Sequence, residues 1–336
     1  MLVQTSSCYQ LSAGILWISL RALAKRARLK KMDVAGAVNL VFELLWTLLK
    51  VNYETLRGMW KTVLPNEPKD VKDDVVLITG TGHGMGREMA LRFARLGAIL
   101  VCVDINAATN EETAEMIKRE KGRVHAYQCD VTDRAAVIQL KEKVCREVGD
   151  VAILINNAGI MPCKPVLDQT EKEIRLMNDI NVNANIWMIQ AFLPNMMARN
   201  YGHIVAMSSM AGLMGIRNLV PYCGSKYAVR GIMEALAVEL RDDPRGLSGI
   251  KFTTIYPYIV DTGLCKKPRI RFENVMKVVS AGDAADMIVD AVRRELIEIT
   301  LPPELHFMTR YIYRLLPFEA ACLWNDFFNT GVDAHD

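Results

Sequence analysis

Tyr222 and Lys226 stand four residues apart in the string Tyr222-Cys223-Gly224-Ser225-Lys226, with Ser209 thirteen positions upstream. A phenol with an ordinary pKa of about 10 exchanges protons poorly at neutral pH, so a catalyst that uses one must favour the phenolate with a nearby cation. On a helix, the four-residue spacing puts Lys226 on the same face as Tyr222, where its ammonium can favour the phenolate and reach the ribose of a bound dinucleotide. Ser209, just past an apolar run, is placed to donate a hydrogen bond to a substrate oxygen as charge develops there, and Ser208 competes for that role. The chemistry these residues suggest is hydride transfer, with Tyr222 handling the proton. Each element alone is weak, because Tyr-x-x-x-Lys recurs on amphipathic helices and Ser-Ser after a strand is often only a turn.

The hydride-accepting half comes from Thr79-Gly80-Thr81-Gly82-His83-Gly84-Met85-Gly86, directly after an apolar strand at 75–78. Glycine at 80, 84 and 86 permits positive φ and close backbone approach to a pyrophosphate, which the free N–H groups of the following helix would meet. Asp104 ends the second strand, eighteen positions after Gly86. A carboxylate there accepts from adenosine ribose hydroxyls, which favours NAD over NADP, since a 2′-phosphate would be repelled without a cation. His83 is the one cation candidate within the glycine turn. Asp104-Ile105-Asn106 also reads as a turn initiator, which is compatible with the same role.

Positioning these groups requires a parallel sheet. Apolar runs at 75–79, 99–104, 123–129, 151–156, 202–207 and 250–256 alternate with helical stretches starting near Gly86, Asn110, Asp133, Thr170 and Tyr222. Strict alternation is the pattern of an α/β, Rossmann-type doubly wound fold, with ligands at the carboxyl ends of the strands. The 336 residues fit one large domain with extensions. A net charge of +3 and a pI near 8.3 are too weak to indicate nucleic acid. The eight cysteines form no C-x-x-C pair and read as reduced thiols in a cytosol-facing chain, and no metal site is expected.

The extensions account for the oily composition, 51% hydrophobic with a mean hydropathy of +0.11. Residues 1–32 hold a short apolar stretch at 11–24 followed by a basic run. As a helix that stretch spans about 21 Å, short of a hydrocarbon core of roughly 30 Å. In residues 33–64, Asn39, Glu43, Thr47, Lys50, Glu54, Arg57 and Lys61 recur at spacings of 4, 4, 3, 4, 3 and 4, a helical period. Opposite them runs a wide apolar face with Phe42, Trp46, Tyr53 and Trp60. The reading is a helix lying in a membrane surface, with a hairpin dipping into one leaflet or a helix packed on the protein's own core as alternatives. A linker at 65–74 leads to the dinucleotide domain, 75–300. The last segment, 301–336, is a C-terminal amphipathic extension that could cover the pocket, form a subunit interface such as that of a homodimer, or touch the membrane.

Taken in order, these motifs resemble the short-chain dehydrogenase/reductase family over residues 74 to about 300. The matching positions are Thr79-Gly80 with Gly84 and Gly86, Asp104, Cys129-Asp130-Val131, Asn156-Asn157-Ala158-Gly159, Asn181-Val182, Ser209, and Tyr222 with Lys226. The resemblance implies Ser209, Tyr222 and Lys226 as a catalytic set, with Asn181 holding a helix kink and a water-mediated proton path to Lys226. It implies that Asp130 and Val131 contact the adenine, that Asn157, Ala158 and Gly159 support the cofactor beside Met85 of the turn, and that Thr262 holds the nicotinamide carboxamide or phosphate. Residues 264–279 would form a substrate lid, and Met161, Leu213, Met214, Ile216 and Val220 pocket walls. The family often has Pro-Gly after the sixth strand; here Tyr258 follows Pro257. Pro257-Tyr258-Ile259-Val260-Asp261-Thr262-Gly263, with Arg269-Ile270-Arg271 and Leu316-Pro317-Phe318-Glu319, is similar to the membrane-bound retinol dehydrogenase and 17β-hydroxysteroid dehydrogenase subgroup. That subgroup implies a lipophilic alcohol or carbonyl substrate, NAD or NADP, and an anchor in the endoplasmic reticulum or a lipid droplet with the catalytic domain facing the cytosol. A nucleotide-binding membrane scaffold without turnover is the competing expectation, and the intact Ser209-Tyr222-Lys226 set argues against it.

Overall fold

The computed structural model describes residues 34–63, 66–271, 278–329 and 331–334. The expectations for residues 1–32, and those for 272–277 of the lid, lie outside them. The chain divides into two units, Met1–Asn66 and Glu67–Asp336. In the first, a helical period uninterrupted by proline produces one unbroken helix, α1 (Val34–Val63), so the hairpin alternative does not apply to these residues. Its apolar side chains are exposed, Phe42 at 68% and Leu56 at 66%. Lys50 folds back over the Trp46 ring, its Nζ 5.3 Å from the centroid, covering aromatic surface with its aliphatic stem. The stretch Ala35–Gly58 is long and apolar enough to cross a membrane.

The second unit is built on β1 (Val75–Thr79), whose alternate side chains enter different cores. Val76 and Ile78 pack in one, Val75 and Leu77 in the other, as a strand covered on both faces requires. The chain then runs α2 (Gly84–Arg95), β2 (Ile99–Asp104), α3 (Ala107–Arg119), β3 (Arg123–Gln128), α4 (Arg134–Glu147), β4 (Ile153–Asn156), α5 (Glu171–Asn178), α6 (Ala184–Arg199), β5 (Gly202–Met207), α7 (Val220–Arg241), β6 (Ile250–Pro257), α8 (Ala281–Arg293) and β7 (Glu298–Leu301). The seven strands pair in parallel in the order β7-β6-β5-β4-β1-β2-β3. Met89 and Phe93 of α2, Ile117 of α3 and Ile288 of α8 pack in the first core; Leu140 of α4, Phe192 of α6 and Met233 of α7 pack in the second.

Six of the strands fall where the apolar runs place them. The seventh, β7, was not anticipated, because Glu298–Leu301 interrupts its short run with charge and threonine. It starts before residue 301, so the expected boundary of the C-terminal extension cuts the last strand. Helix starts follow local capping chemistry: the Asn106 side chain accepts from the N–H groups of Ala108 and Thr109, Asp133 from those of Ala135 and Ala136, and Thr170 forms a reciprocal capping box with Glu173. Between α5 and α6 the helix continues through a single π turn, Asp179–Asn183, which carries Asn181.

Asn110 of α3 braces the nucleotide end of the sheet. It is fully buried, donates to the carbonyls of Cys102 (3.0 Å) and Tyr127 (3.1 Å), and accepts from the Thr81 hydroxyl at 2.6 Å. Asn110→Ala removes all three of these hydrogen bonds, although the Thr81 hydroxyl keeps the Val103 carbonyl at 3.3 Å, and the expected loss is about 2–4 kcal/mol, measured by chemical denaturation.

Candidate active site

At the carboxyl end of β1 the chain turns back on itself within two residues. Gly80 takes φ +73°, in the left-handed region that other residues avoid. Gly86 sits so close beneath the turn that a Cβ would overlap the Gly80 carbonyl oxygen. Asn157, just after β4, fastens this turn from the side: its carboxamide donates to the carbonyls of Thr79 (2.8 Å) and Gly80 (3.2 Å). The N–H groups of Asn157 and Ala158 both donate to Thr79 Oγ1, each at 3.0 Å. Helix α2 begins at Gly84, so its first N–H groups, including those of Met85 and Gly86, lack intrahelical acceptors and present an anion-binding end. Thr262 packs directly across from Gly84, with its Cβ 3.1 Å from where a Gly84 Cβ would lie.

Asp104 faces the same turn. Its carboxylate accepts from the Gly82 N–H (2.8 Å) and, two residues ahead, from the Asn106 N–H (2.9 Å), so the turn-initiating and loop-facing readings hold together. The same turn also carries an arginine that its glycine spacing does not reveal. Arg87, the residue after Gly86, donates to the Gly82 carbonyl, to Thr113 Oγ1 at 2.9 Å and to Glu112, whereas His83 is exposed. Its position immediately after the last glycine was the available signal. Asp130 accepts from the Thr132 backbone and hydroxyl, and Val131 is buried in the sheet's second core.

Ser209, Tyr222 and Lys226 converge at the ends of β5 and β6. Ser209 follows β5, donates to the Pro257 carbonyl at 3.4 Å and lies beside the Tyr222 hydroxyl. The Ser208 hydroxyl donates to the Lys226 carbonyl at 2.9 Å. Lys226 is buried, donates from Nζ to the Met207 carbonyl at 2.8 Å, and lies 5.6 Å from the Tyr222 ring centroid. Asn181 is fully buried in the π turn. Its side chain pairs with the Ile160 backbone in both directions at 3.0 Å and donates to Ser225 Oγ at 3.1 Å. A Cβ on Gly159 would lie 3.2 Å from Asn181 Oδ1 and 3.6 Å from Lys226 Nζ, so Gly159 is the open floor between them.

Ser209, Tyr222, Lys226 and Gly159 border a cavity of about 360 Å³. Met161, Met214 and Ile216 line it as expected. Leu213 and Val220 do not, because Leu213 turns into a separate cluster with Met210 and Tyr256 and Val220 is 54% exposed. Tyr258, in place of the family's glycine, supplies part of the wall. The C-terminal extension supplies another. Helix α9 (Phe318–Phe328) contributes Asn325 and Asp326, and Gly331–Val332 pairs antiparallel with Pro268–Arg269, so the pocket-covering alternative applies to this segment.

Burial sets the electrostatics in a way that spacing alone does not convey. It pushes the Tyr222 phenol up to about 12 against the opposing Ser209 hydrogen bond, and lowers Lys226 to about 8. The expected lowering of the Tyr222 pKa by Lys226 is therefore absent in the chain by itself. Lys226 gives up its proton near pH 8 when folded but only near 10.5 when unfolded, so the unfolded state holds more protons in between and stability rises with pH there. Above pH 10 Tyr222 acts the other way, because the unfolded phenol ionises first. Denaturant melts of the cofactor-free protein should gain about 2 kcal/mol from Lys226 between pH 8 and 10, a rise that Lys226→Met removes.

Residues 74–271 match the family model for short chain dehydrogenase. Human epidermal retinol dehydrogenase 2 is 39% identical over 277 residues, covering 82% of this chain and 88% of that protein. Human 17-beta-hydroxysteroid dehydrogenase 13 is 34% identical over 297 residues, covering 88% and 97%. Among solved structures, a short chain dehydrogenase/reductase from Burkholderia phymatum in complex with NAD superimposes with a TM-score of 0.64 at 24% identity, covering 72% of this chain and 93% of that one. With its parallel seven-stranded sheet and this extent of sequence identity, the chain belongs to the short chain dehydrogenase family and is an oxidoreductase acting on CH–OH groups.

Proposed function

We propose that this chain interconverts a lipophilic alcohol, of retinol or hydroxysteroid type, and its aldehyde or ketone, with NAD as the preferred cofactor. The observation that carries the reading is the convergence of Ser209, Tyr222 and Lys226 on a largely apolar cavity that also opens onto Asn157, Gly159 and Thr262. The residues present fit a dinucleotide. The Gly80 turn leaves no side chain in the way, the start of α2 offers N–H groups to a pyrophosphate, and the Asp104 carboxylate beside Gly82 suits a ribose diol. Arg87 near the same turn is committed to Gly82, Thr113 and Glu112, which supports NAD over NADP.

When bound, the oxidised dinucleotide supplies a hydride acceptor and a positive charge. Ser209 donates to the substrate oxygen and holds it against Tyr222, which takes the hydroxyl proton as the C–H bond gives up hydride. Burial opposes a Tyr222 phenolate, so the Lys226 ammonium, fixed by the Met207 carbonyl, must favour it. Lys226 then passes the proton on toward the π turn of Asn181. Met161, Met214 and Ile216 offer adaptable apolar contact to the hydrocarbon of the substrate and keep bulk water away. The family resemblance and the retinol and hydroxysteroid dehydrogenases among the relatives support this substrate class.

The same reading places the enzyme on a membrane or lipid-droplet surface, in the endoplasmic reticulum system, with the catalytic unit in the cytosol. Along α1 the polar residues Asn39, Glu43, Thr47, Lys50 and Glu54 follow one stripe and the exposed aromatics lie opposite, which favours a helix in the interface. The 24 residues of Ala35–Gly58 extend about 36 Å, enough for a span as well.

Tyr222→Phe should bind NAD as before while alcohol-dependent NADH formation drops about a thousandfold; unchanged turnover overturns the assignment. Removal of residues 1–64 should shift the protein from the floating membrane or droplet fraction to the soluble one, and continued flotation rules out α1 as the anchor.

A further inference from the structure

A second, much smaller and partly open cavity is lined by Thr79, Val131, Asn156, Ala158, Asn185 and Met188, among other residues, and its space of about 10 Å³ admits the centre of one water. Asn156 and Asn185 are more than nine-tenths buried, and the Oδ1 atom of each receives no hydrogen bond from the protein. Their orientations are set by their other ends. Asn185 Nδ2 donates to the Asn181 carbonyl at 2.8 Å, and Asn156 Nδ2 to the Asn185 carbonyl at 3.5 Å. Turning either amide over would set oxygen against oxygen, so both acceptors are held where they are. Thr79 supplies the complement: its Oγ1 accepts from the N–H groups of Asn157 and Ala158, which leaves the hydroxyl hydrogen to be donated.

We propose that this cavity is a binding site for one structural water, which accepts from the Thr79 hydroxyl and donates to Asn156 Oδ1 and Asn185 Oδ1. Two acceptors and one donor match the three hydrogen bonds that a buried water typically makes. Without it both amide oxygens stand desolvated and unpaired. The water joins three elements, the ends of β1 and β4 and the first turn of α6. Asn185 becomes a positioning residue, because the side chain that accepts from the water also holds the carbonyl of Asn181. The end of β1, from which the Gly80 turn starts, and the π turn at the proton-handling side are thereby tied through one molecule.

A crystal structure of the full chain, at a resolution that shows ordered water, should place one water about 2.7–3.2 Å from all three groups. A dry cavity, or amides rotated into direct contact, overturns the proposal. In thermal melts, Asn156→Leu and Asn185→Leu should each lower Tm by about 3 °C or more, and the double variant by less than the sum, since it removes both acceptors of a shared donor. Strictly additive losses count against a shared water. For the positioning role, Asn185→Leu should lower kcat and shift its pH profile while the KM for NAD holds, and an unmoved profile refutes that role. Only this last arm rests on the dehydrogenase reading; the crystallographic and melting arms need no turnover.

Discussion

At the carboxyl ends of β1 and β4 two neighbouring strands must leave the sheet side by side without abandoning their backbone groups unpaired in the interior. Thr79 and Asn157 meet that constraint together. The threonine hydroxyl accepts from two N–H groups on the β4 side, and the Asn157 carboxamide donates to two carbonyls on the β1 side. Because the crossing is satisfied by side chains, the backbone between Thr79 and Gly86 is free to take the tight path that only glycine permits. The nucleotide end of the fold follows from that clasp: Gly82 is brought to Asp104, α2 starts at the mouth of the crevice, and Asn110 ties the loop to β2 and β3.

The proton-handling side depends on the opposite choice, since its key groups are placed where water does not help them. Tyr222 and Lys226 each pay for burial through a shift toward the neutral form, and neither is compensated by a carboxylate. Such a site is poised. Its charge state responds strongly to any charge or hydrogen bond added nearby, because the low local dielectric that penalises the ions also strengthens their interactions. The π turn of Asn181 fits the same logic, for it directs a fully hydrogen-bonded polar side chain into the space beside Gly159, next to Lys226, instead of leaving another group unsatisfied there.

The C-terminal segment is part of the pocket's wall. Arg271 donates to the Phe327 carbonyl, Asn218 to that of Val332, and the Gly331–Val332 pairing closes onto Pro268–Arg269. The loop after β6 and the tail after α9 are thus held by one another, and access to the cavity involves both. Glu298 on β7 is gripped by Arg310 at 2.6 Å, which fixes the start of this segment to the edge of the sheet.

Six of the seven strands, the glycine turn and the Ser209-Tyr222-Lys226 set were legible in the sequence because each is a local pattern: an apolar run bounded by turn residues, a glycine spacing, a four-residue helical repeat. The polar stripe of residues 39–57 was legible for the same reason, and α1 follows it. What tertiary structure alone decided is everything that depends on partners distant along the chain. It turned the Ser208 hydroxyl onto the carbonyl of Lys226, eighteen residues on. It recruited β7 despite a weak run, since a neighbouring strand supplied the pairing. It turned Leu213 away from the cavity and brought Asn325 and Asp326 into its wall. It also set the direction of the Tyr222 pKa, because a four-residue spacing fixes how near a cation stands but not how much water is left around the phenol, and here the loss of that water raises it.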